Sequence, residues 1–170
     1  MSQEPEFAEL LLDSQLCFAL YAASRAVTKS FRDFLGPMGI TYPQYLVLVV
    51  LWENDGSTIS EVGRRLHLDS GTLTPLMKRL ESDGIVERRR GTRDEREVEV
   101  WLTQSGIDLK PKAAHAQASV VSRLRMTNEE LADLRSQVML LMDRLNNVTE
   151  DSLNEEKTDR SVNSASCQNR

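Results

Sequence analysis

"TISEVGRRLHLDSGTLTPLMKRLESDGIVERRRGTRDEREVEVWLTQSG", residues 58–106, decides the fold of this chain. It divides by pattern. "STISEVGRRLHL" reads as a short helix, with Thr58 and Glu61 placed as a capping box. "LDSGTLTPLMKRLESDG" reads as a second helix. Asp69 is a good N-cap, Leu73, Leu76, Met77 and Leu80 form one apolar stripe, and Gly84 suits the residue just past the end. Pro75 lacks an N–H and crowds the carbonyl of Gly71, so a local distortion of the first turns is expected. In "IVERRRGTRDEREVEVWLT", Val98, Val100 and Leu102 alternate with Glu97, Glu99 and Trp101, the period of a β-hairpin. Helix, turn at "HLDS", helix and hairpin together spell a winged helix-turn-helix, with residues 70–83 as its recognition helix.

Helices flank this module. Apolar positions recur at helical spacing from Leu10 to Leu35, and Gly36-Pro37 ends the pattern. "TYPQYLVLVVLWEND" has a β-branched run that suits a buried strand. Thr41 with Gln44 and the early Pro43 favour a buried helix instead. A long helix is expected from Thr103 to Leu124, kinked at Pro111. "TNEELADLRSQVMLLMDRLNNV" is a last amphipathic helix, opened by Thr127 and Glu130. The fold class is therefore mainly α with a small β-hairpin wing. Residues 1–9 form an acidic segment, 10–148 the folded domain with its core at 41–103, and the polar residues 149–170 a disordered tail.

The chain has 170 residues, 40% hydrophobic and 28% charged, which suits a soluble globular domain. No apolar run is long enough to span a bilayer. The opening "MSQEPEFAELLLDSQ" is acidic, so a secretory signal is not expected. The two cysteines, Cys17 and Cys167, are too few for a disulfide framework, and a reducing cytoplasm is the expected compartment. His67 and His115 stand apart from any ligand-spaced partner, so neither a metal nor a cofactor is expected. Net charge is −5, but the ends carry most of it. Glu4, Glu6, Glu9 and Asp13 acidify the start, the tail from Thr149 nets −2, and residues 14–148 net +1. Local basic clusters therefore matter more than the overall charge.

Two constellations carry chemistry. With its apolar stripe turned inward, the second helix presents Ser70, Gly71, Thr72, Thr74, Lys78 and Arg79. Small hydroxyl residues allow close approach to base edges, and the cations suit phosphates or guanine. The hairpin clusters Arg88, Arg89, Arg90, Arg93 and Arg96. An arginine on a thin wing suits a narrow minor groove, and Asp94 is placed to hold Arg96. The plain alternative is a solvated turn in which these arginines pair with Glu87, Glu95, Glu97 and Glu99. The other constellation is "QLCFALYAASRAVTKSF", residues 15–31. Cys17 there is either inert core, the common fate of a lone cysteine, or a reactive thiol. Tyr21 lies one turn on along the same face and leans back toward it, and Arg25 continues that face. A phenol that donates to sulfur favours the thiolate.

The combination of "LDSGTLTP", "KRLE", the D-x-R of Asp94 and Arg96, and "LTQSG" closely resembles the winged-helix core of MarR-type repressors. The resemblance covers roughly residues 10–148. It implies a homodimer, with 10–40 and 104–148 as dimerisation helices, on a double-stranded DNA operator. It also makes Pro75 a family trait of the DNA-facing helix. "LDSQLCFALYAASRAVTK" and "TYPQYLVLVVLWE" narrow the likeness to organic-hydroperoxide-sensing repressors of the OhrR type. That likeness makes Cys17 the redox sensor and Tyr21 and Tyr42 its hydroxyl donors, some donors coming from the partner subunit. Phe31 stands where that group usually has a tyrosine, and the region around Ser122 lacks the second cysteine some members carry. The resolving thiol is then either Cys167 or a low-molecular-weight thiol. The expected function is non-enzymatic: an organic hydroperoxide oxidises Cys17 to a sulfenic acid, a disulfide follows, and the operator is released. Leu16, Phe18, Phe31 and Phe34 are expected to give Cys17 apolar surroundings that favour organic peroxides. The competing readings are a MarR-type regulator released by a small lipophilic or phenolic ligand with Cys17 inert, and a thiol peroxidase.

Overall fold

The structure, a computed structural model, describes Phe7, residues 10–91 and residues 97–165, with side chains as far as Asn147. Asp94 and Arg96 at the hairpin tip, and Cys167, lie outside the described residues. A 3-10 turn at Leu12–Ser14 precedes helix α1 (Leu16–Leu35). There follow α2 (Tyr42–Glu53), α3 (Ile59–Leu66), α4 (Ser70–Ser82), strands β1 (Val86–Arg90) and β2 (Val98–Leu102), α5 (Gln104–Asp108), α6 (Lys110–Leu124) and α7 (Asn128–Ala165). The chain divides into two units, one ending at Arg123 and the other starting at Leu124.

The first unit is held by helix caps and one apolar cluster. The β-branched run is helix α2. Gln44 Oε1 accepts from the Thr41 backbone N–H at 2.8 Å, and Tyr45, Val47, Leu48, Val50 and Leu51 are buried around the helix. The capping box of α3 is formed, with the Glu61 N–H donating to Thr58 Oγ1 at 3.2 Å and the Thr58 N–H to Glu61 Oε2 at 2.8 Å. Asp69 caps α4, accepting the Thr72 N–H at 2.9 Å. Leu73, Met77 and Leu80 are buried, while Leu76 is half-buried. The distortion expected at Pro75 does not interrupt α4. The Thr74 hydroxyl donates to the Ser70 carbonyl at 2.6 Å, occupying an acceptor of the turn that the proline disturbs.

Helices α3 and α4 meet at close quarters. His67 closes α3 in the left-handed region, at φ 53°, and the Leu68 N–H reaches back to the Gly63 carbonyl at 2.9 Å. A Cβ at Gly63 would stand 2.9 Å from the Leu68 carbonyl oxygen and 3.3 Å from Leu73 Cδ2. Glycine is what lets the turn lie against the helix. Strands β1 and β2 pair antiparallel, with Val86 opposite Leu102, Arg88 opposite Val100 and Arg90 opposite Val98. Thr103 seals the hairpin base, its hydroxyl donating to the Gly84 carbonyl at 2.7 Å.

Two helical expectations are corrected. The single helix expected over Thr103–Leu124 is broken at Leu109 into α5 and α6, because Pro111 has no N–H to continue the ladder and falls in the first turn of α6. The backbone of α7 continues past Val148 to Ala165, where a disordered tail was expected. No Gly or Pro interrupts residues 128–165. The Thr127–Glu130 box opens this helix, with the Thr127 N–H donating to Glu130 Oε2 at 2.7 Å.

Candidate nucleic-acid interface and sensor cysteine

Helix α4 presents the face its sequence promises. Ser70, Gly71, Thr72, Thr74, Pro75, Lys78 and Arg79 are all exposed while the opposite stripe is buried. Two hydroxyl protons are already spoken for. The Thr72 hydroxyl donates to Asp69 Oδ2 at 3.0 Å and the Thr74 hydroxyl to the Ser70 carbonyl. What these threonines offer outward is therefore an acceptor and a methyl group, which suits a base amine or a thymine methyl. Arg79 pairs with Asp83 at 3.1 Å, leaving Lys78 as the less committed cation of the helix.

The wing arginines divide. Arg88 Nε donates to Glu81 Oε2 of α4 at 2.9 Å, and this pair raises the Arg88 pKa and lowers that of Glu81. Arg88 thus ties the wing to the recognition helix. Arg89 pairs with Glu87, and its guanidinium lies 5.1 Å from the ring centroid of Trp101. The pairing that the solvated-turn alternative expects is present for Arg89 with Glu87, whereas Arg88 takes Glu81, outside the hairpin. Arg90 is exposed at the strand end leading to the tip. Sequence reasoning missed Arg65, whose ion pair with Glu53 joins α3 to α2. A pair twelve residues apart carries no local signal.

Cys17 lies near the start of α1 and is exposed as a free thiol. The buried-core alternative therefore does not describe it within one chain. Tyr21, 58% exposed, accepts a hydrogen bond from Arg25 Nη1 at 3.0 Å, and the guanidinium lies 5.5 Å from the ring centroid. The Tyr21 oxygen is engaged as an acceptor, which leaves its own proton free for an acceptor nearby. Tyr42 is held elsewhere. Its ring centroid lies 5.0 Å from that of Phe31 and 5.8 Å from that of Tyr45, and burial raises its pKa. Phe31 is fourteen residues beyond Cys17, about 21 Å along the helix axis. Tyr42 thus lies far from Cys17 of its own chain.

The apolar surroundings expected for Cys17 need the same correction. Phe31 is 3% exposed and stacks on Tyr45 in the core, and Phe34 packs edge-on to His115 with Arg123 over its ring. Leu16 and Phe18 do flank Cys17 but are exposed. Among the described residues no group of His, Cys, Asp and Glu could hold a metal ion, and no single helix is long and apolar enough to cross a membrane.

These features have counterparts in known proteins. Residues 30–112 match the SarA/Rot family of transcriptional regulators. An organic hydroperoxide resistance transcriptional regulator of Bacillus subtilis is 42% identical over 142 residues, covering 84% of this chain and 97% of that protein. The HTH-type transcriptional regulator TtmR of Methylorubrum extorquens is 47% identical over 145 residues, covering 85% of this chain and 74% of the relative. Among solved structures, reduced AbfR bound to DNA is 35% identical, with a TM-score of 0.68 over 81% of this chain and 96% of that one. AbfR is a protein of Staphylococcus epidermidis, and its disulfide-formed structure, 36% identical over 79% and 95%, aligns at a TM-score of 0.58. With its winged-helix fold and these relatives, the chain belongs to the MarR family of transcriptional regulators, in its organic-hydroperoxide-resistance branch.

Proposed function

We propose that this regulator is a repressor that holds a double-stranded DNA operator as a homodimer and releases it when an organic hydroperoxide oxidises Cys17. The observation that carries the reading is the placement of Cys17, an exposed thiol one helical turn from a tyrosine whose oxygen is fixed by Arg25. The first step converts the Cys17 thiolate and ROOH to a sulfenate and ROH. A thiol RSH then condenses with the sulfenic acid to give a disulfide and water. Tyr42 serves the partner's cysteine, because its own chain's Cys17 is out of reach. Cys167 is dispensable, and a low-molecular-weight thiol completes the switch.

Dimerisation follows from unspent apolar surface. Leu16, Phe18, Tyr21 and Val27 are exposed on α1, and Leu134, Val138, Met139 and Leu140 on α7. In a close-packed interface a bulky adduct on Cys17 does not fit without moving helices, and that changes the spacing of the two recognition helices, about 34 Å for one DNA turn. The lower structural similarity to disulfide-formed AbfR than to either the reduced or the overoxidised DNA-bound form supports a shape change on disulfide formation. Such a regulator works in the cytoplasm.

The test is operator binding by the whole protein, with and without cumene hydroperoxide. Release that reverses with reductant is expected; binding indifferent to the peroxide overturns the reading. The ligand-released alternative rests on one feature, a 250 Å³ pocket between α2 and α6 lined by Tyr45, Val49, Trp52 and Ala113. Release by a phenolic compound with Cys17 still reduced would favour it.

A further inference from the structure

Strand β2 is bonded on both of its edges. One edge pairs with β1. On the other, the Val100 N–H donates to the Ser57 carbonyl at 2.9 Å and the Gly56 N–H to the Val100 carbonyl at 3.1 Å, with Thr58 bridged antiparallel to Glu99. The loop between α2 and α3 therefore lies along β2 as a short third strand would. Peptide groups two residues apart in a strand point the same way, so the Leu102 N–H faces this loop as well. A side chain receives it. Asp55 Oδ1 accepts the Leu102 N–H at 2.8 Å and also the Gly56 N–H at 3.1 Å.

The loop is itself fixed, so it can act as an anchor. Asn54 Nδ2 donates to Ser57 Oγ at 3.0 Å, the Ser57 hydroxyl donates to the Asn54 carbonyl at 2.7 Å, and Ser57 is buried. Trp101 covers the loop. A Cβ at Gly56 would stand 2.5 Å from Trp101 Cζ2, so the indole lies on bare backbone, and its Nε1 donates to Glu99 Oε2 at 3.1 Å. Among the described residues these contacts hold β2 from Glu99 to Leu102, and the arginine-bearing end of the hairpin projects past them. Each residue beyond the anchor lengthens the lever by about 3.3 Å. A small rotation at the root thus becomes a displacement of ångströms at the arginines, and a hydrogen bond is lost within about one.

We propose that Asp55 is a positioning residue for DNA binding: its carboxylate pins the root of the wing at Leu102 and so sets where the wing arginines point. The proposal rests on the wing contacting DNA through Arg96. Charge alone gives Asp55 the opposite role. A carboxylate on a protein that binds a polyanion weakens the complex, and removing it should tighten binding. A variant that removes the charge and yet loses affinity therefore reports the hydrogen bond and not the field. Without Asp55 the Leu102 N–H is left to water, which satisfies the donor without holding it to the loop.

The test uses the whole protein and a duplex that the wild type selects from a randomised pool, with fluorescence anisotropy across a salt series. Asp55→Ala should bind about fivefold more weakly, with the salt slope reduced by about one per wing. Asp55→Asn keeps the acceptor and should bind at least as tightly as the wild type. In an Arg96→Ala background, Asp55→Ala should cost less than about twofold, because the residue it acts through is gone. Amide exchange followed by NMR should show the Leu102 N–H exchanging faster in Asp55→Ala and at the wild-type rate in Asp55→Asn. Undiminished binding by Asp55→Ala, no recovery in Asp55→Asn, an equal loss in the Arg96→Ala background, or unchanged Leu102 exchange overturns the positioning role while leaving the wing contact intact. Arg96→Ala without effect on affinity or salt slope removes the wing contact and, with it, the proposal.

Discussion

The two ends of α1 make a useful contrast. At its C-terminal end Phe31 and Leu35 are buried, and Phe31 stacks with Tyr42 and Tyr45 in the cluster that supports the helix-turn-helix. At its N-terminal end Leu16, Phe18 and Tyr21 stand exposed around Cys17. One end belongs to a finished core, and no buried side-chain polar atom among the described residues lacks a partner. The other end is unfinished within a single chain. On the proposed reading this separates what reads DNA from what responds, since chemistry at the open end leaves the closed module's own contacts untouched.

The sharpest way to break this contrast is Cys17→Ser. A hydroxyl keeps volume and hydrogen bonding but forms no sulfenic acid. Operator affinity should stay within about twofold, and release by cumene hydroperoxide should be abolished. Release that persists in a gel-shift titration would place the sensor elsewhere.

The closed module should fail from packing. A Cβ on Gly106 would meet the Ile85 carbonyl oxygen at 2.4 Å and Leu102 Cδ2 at 3.1 Å. Gly106→Ala should cost about 2–3 kcal/mol in urea denaturation, at the upper end of overpacking effects. Gly36→Ala supplies the opposite sign. That residue is helical at φ −55°, and an added Cβ there meets nothing within 4 Å. It should stabilise by about 0.4–1 kcal/mol through the unfolded chain. Equal effects at the two sites would mean the contact at Gly106 relaxes freely.

What the sequence made legible was local. The capping pairs Thr41–Gln44, Thr58–Glu61 and Thr127–Glu130 lie three residues apart and formed as read. The alternation of β2 and the stripe of α4 are equally local, and the α4 residues read as DNA-facing are exposed as expected. What stayed hidden depends on neighbours distant in sequence. Five arginines and several glutamates in the hairpin allow many pairings, and only the fold selects Glu81 for Arg88. Tyr21 and Arg25 share a face by spacing, yet their hydrogen bond was not readable, because Cys17 was an equally well placed partner for the phenol. Phe31 likewise belongs by sequence to the cysteine's helix and by packing to the other end of it.

The wing offers a smaller effect. Arg88 is committed to Glu81, whereas Arg96 is drawn from sequence alone as the minor-groove residue. Arg96→Ala should weaken operator binding across sequences and reduce the salt slope by about one per wing. Arg88→Ala should change the salt slope less and thermal stability more. A reversed ranking in fluorescence anisotropy across a salt series would make Arg88 the DNA contact and its ion pair incidental.

The smallest expected effect is acid sensitivity at the head of the recognition helix. The Asp69 carboxylate accepts the Thr72 N–H and the Thr72 hydroxyl, and these hydrogen bonds hold its pKa below the ordinary 3.8. A carboxyl whose folded pKa is depressed contributes stability that is fully present above the unfolded value and is lost as pH falls through the folded one. Between neutrality and about pH 5 nothing should change on its account. The loss belongs below about pH 4, where protonation removes acceptor strength from the cap. Asp69→Asn keeps an acceptor oxygen at the N-cap but cannot titrate. Its melting temperature should match the wild type closely near neutrality and fall less steeply below pH 4. Gln at position 81 gives the control for the wing, since Glu81 is depressed by Arg88 and titrates from a higher ordinary value of 4.5. A wild-type acid limb identical to that of Asp69→Asn would show that the cap bonds equally well to either protonation state.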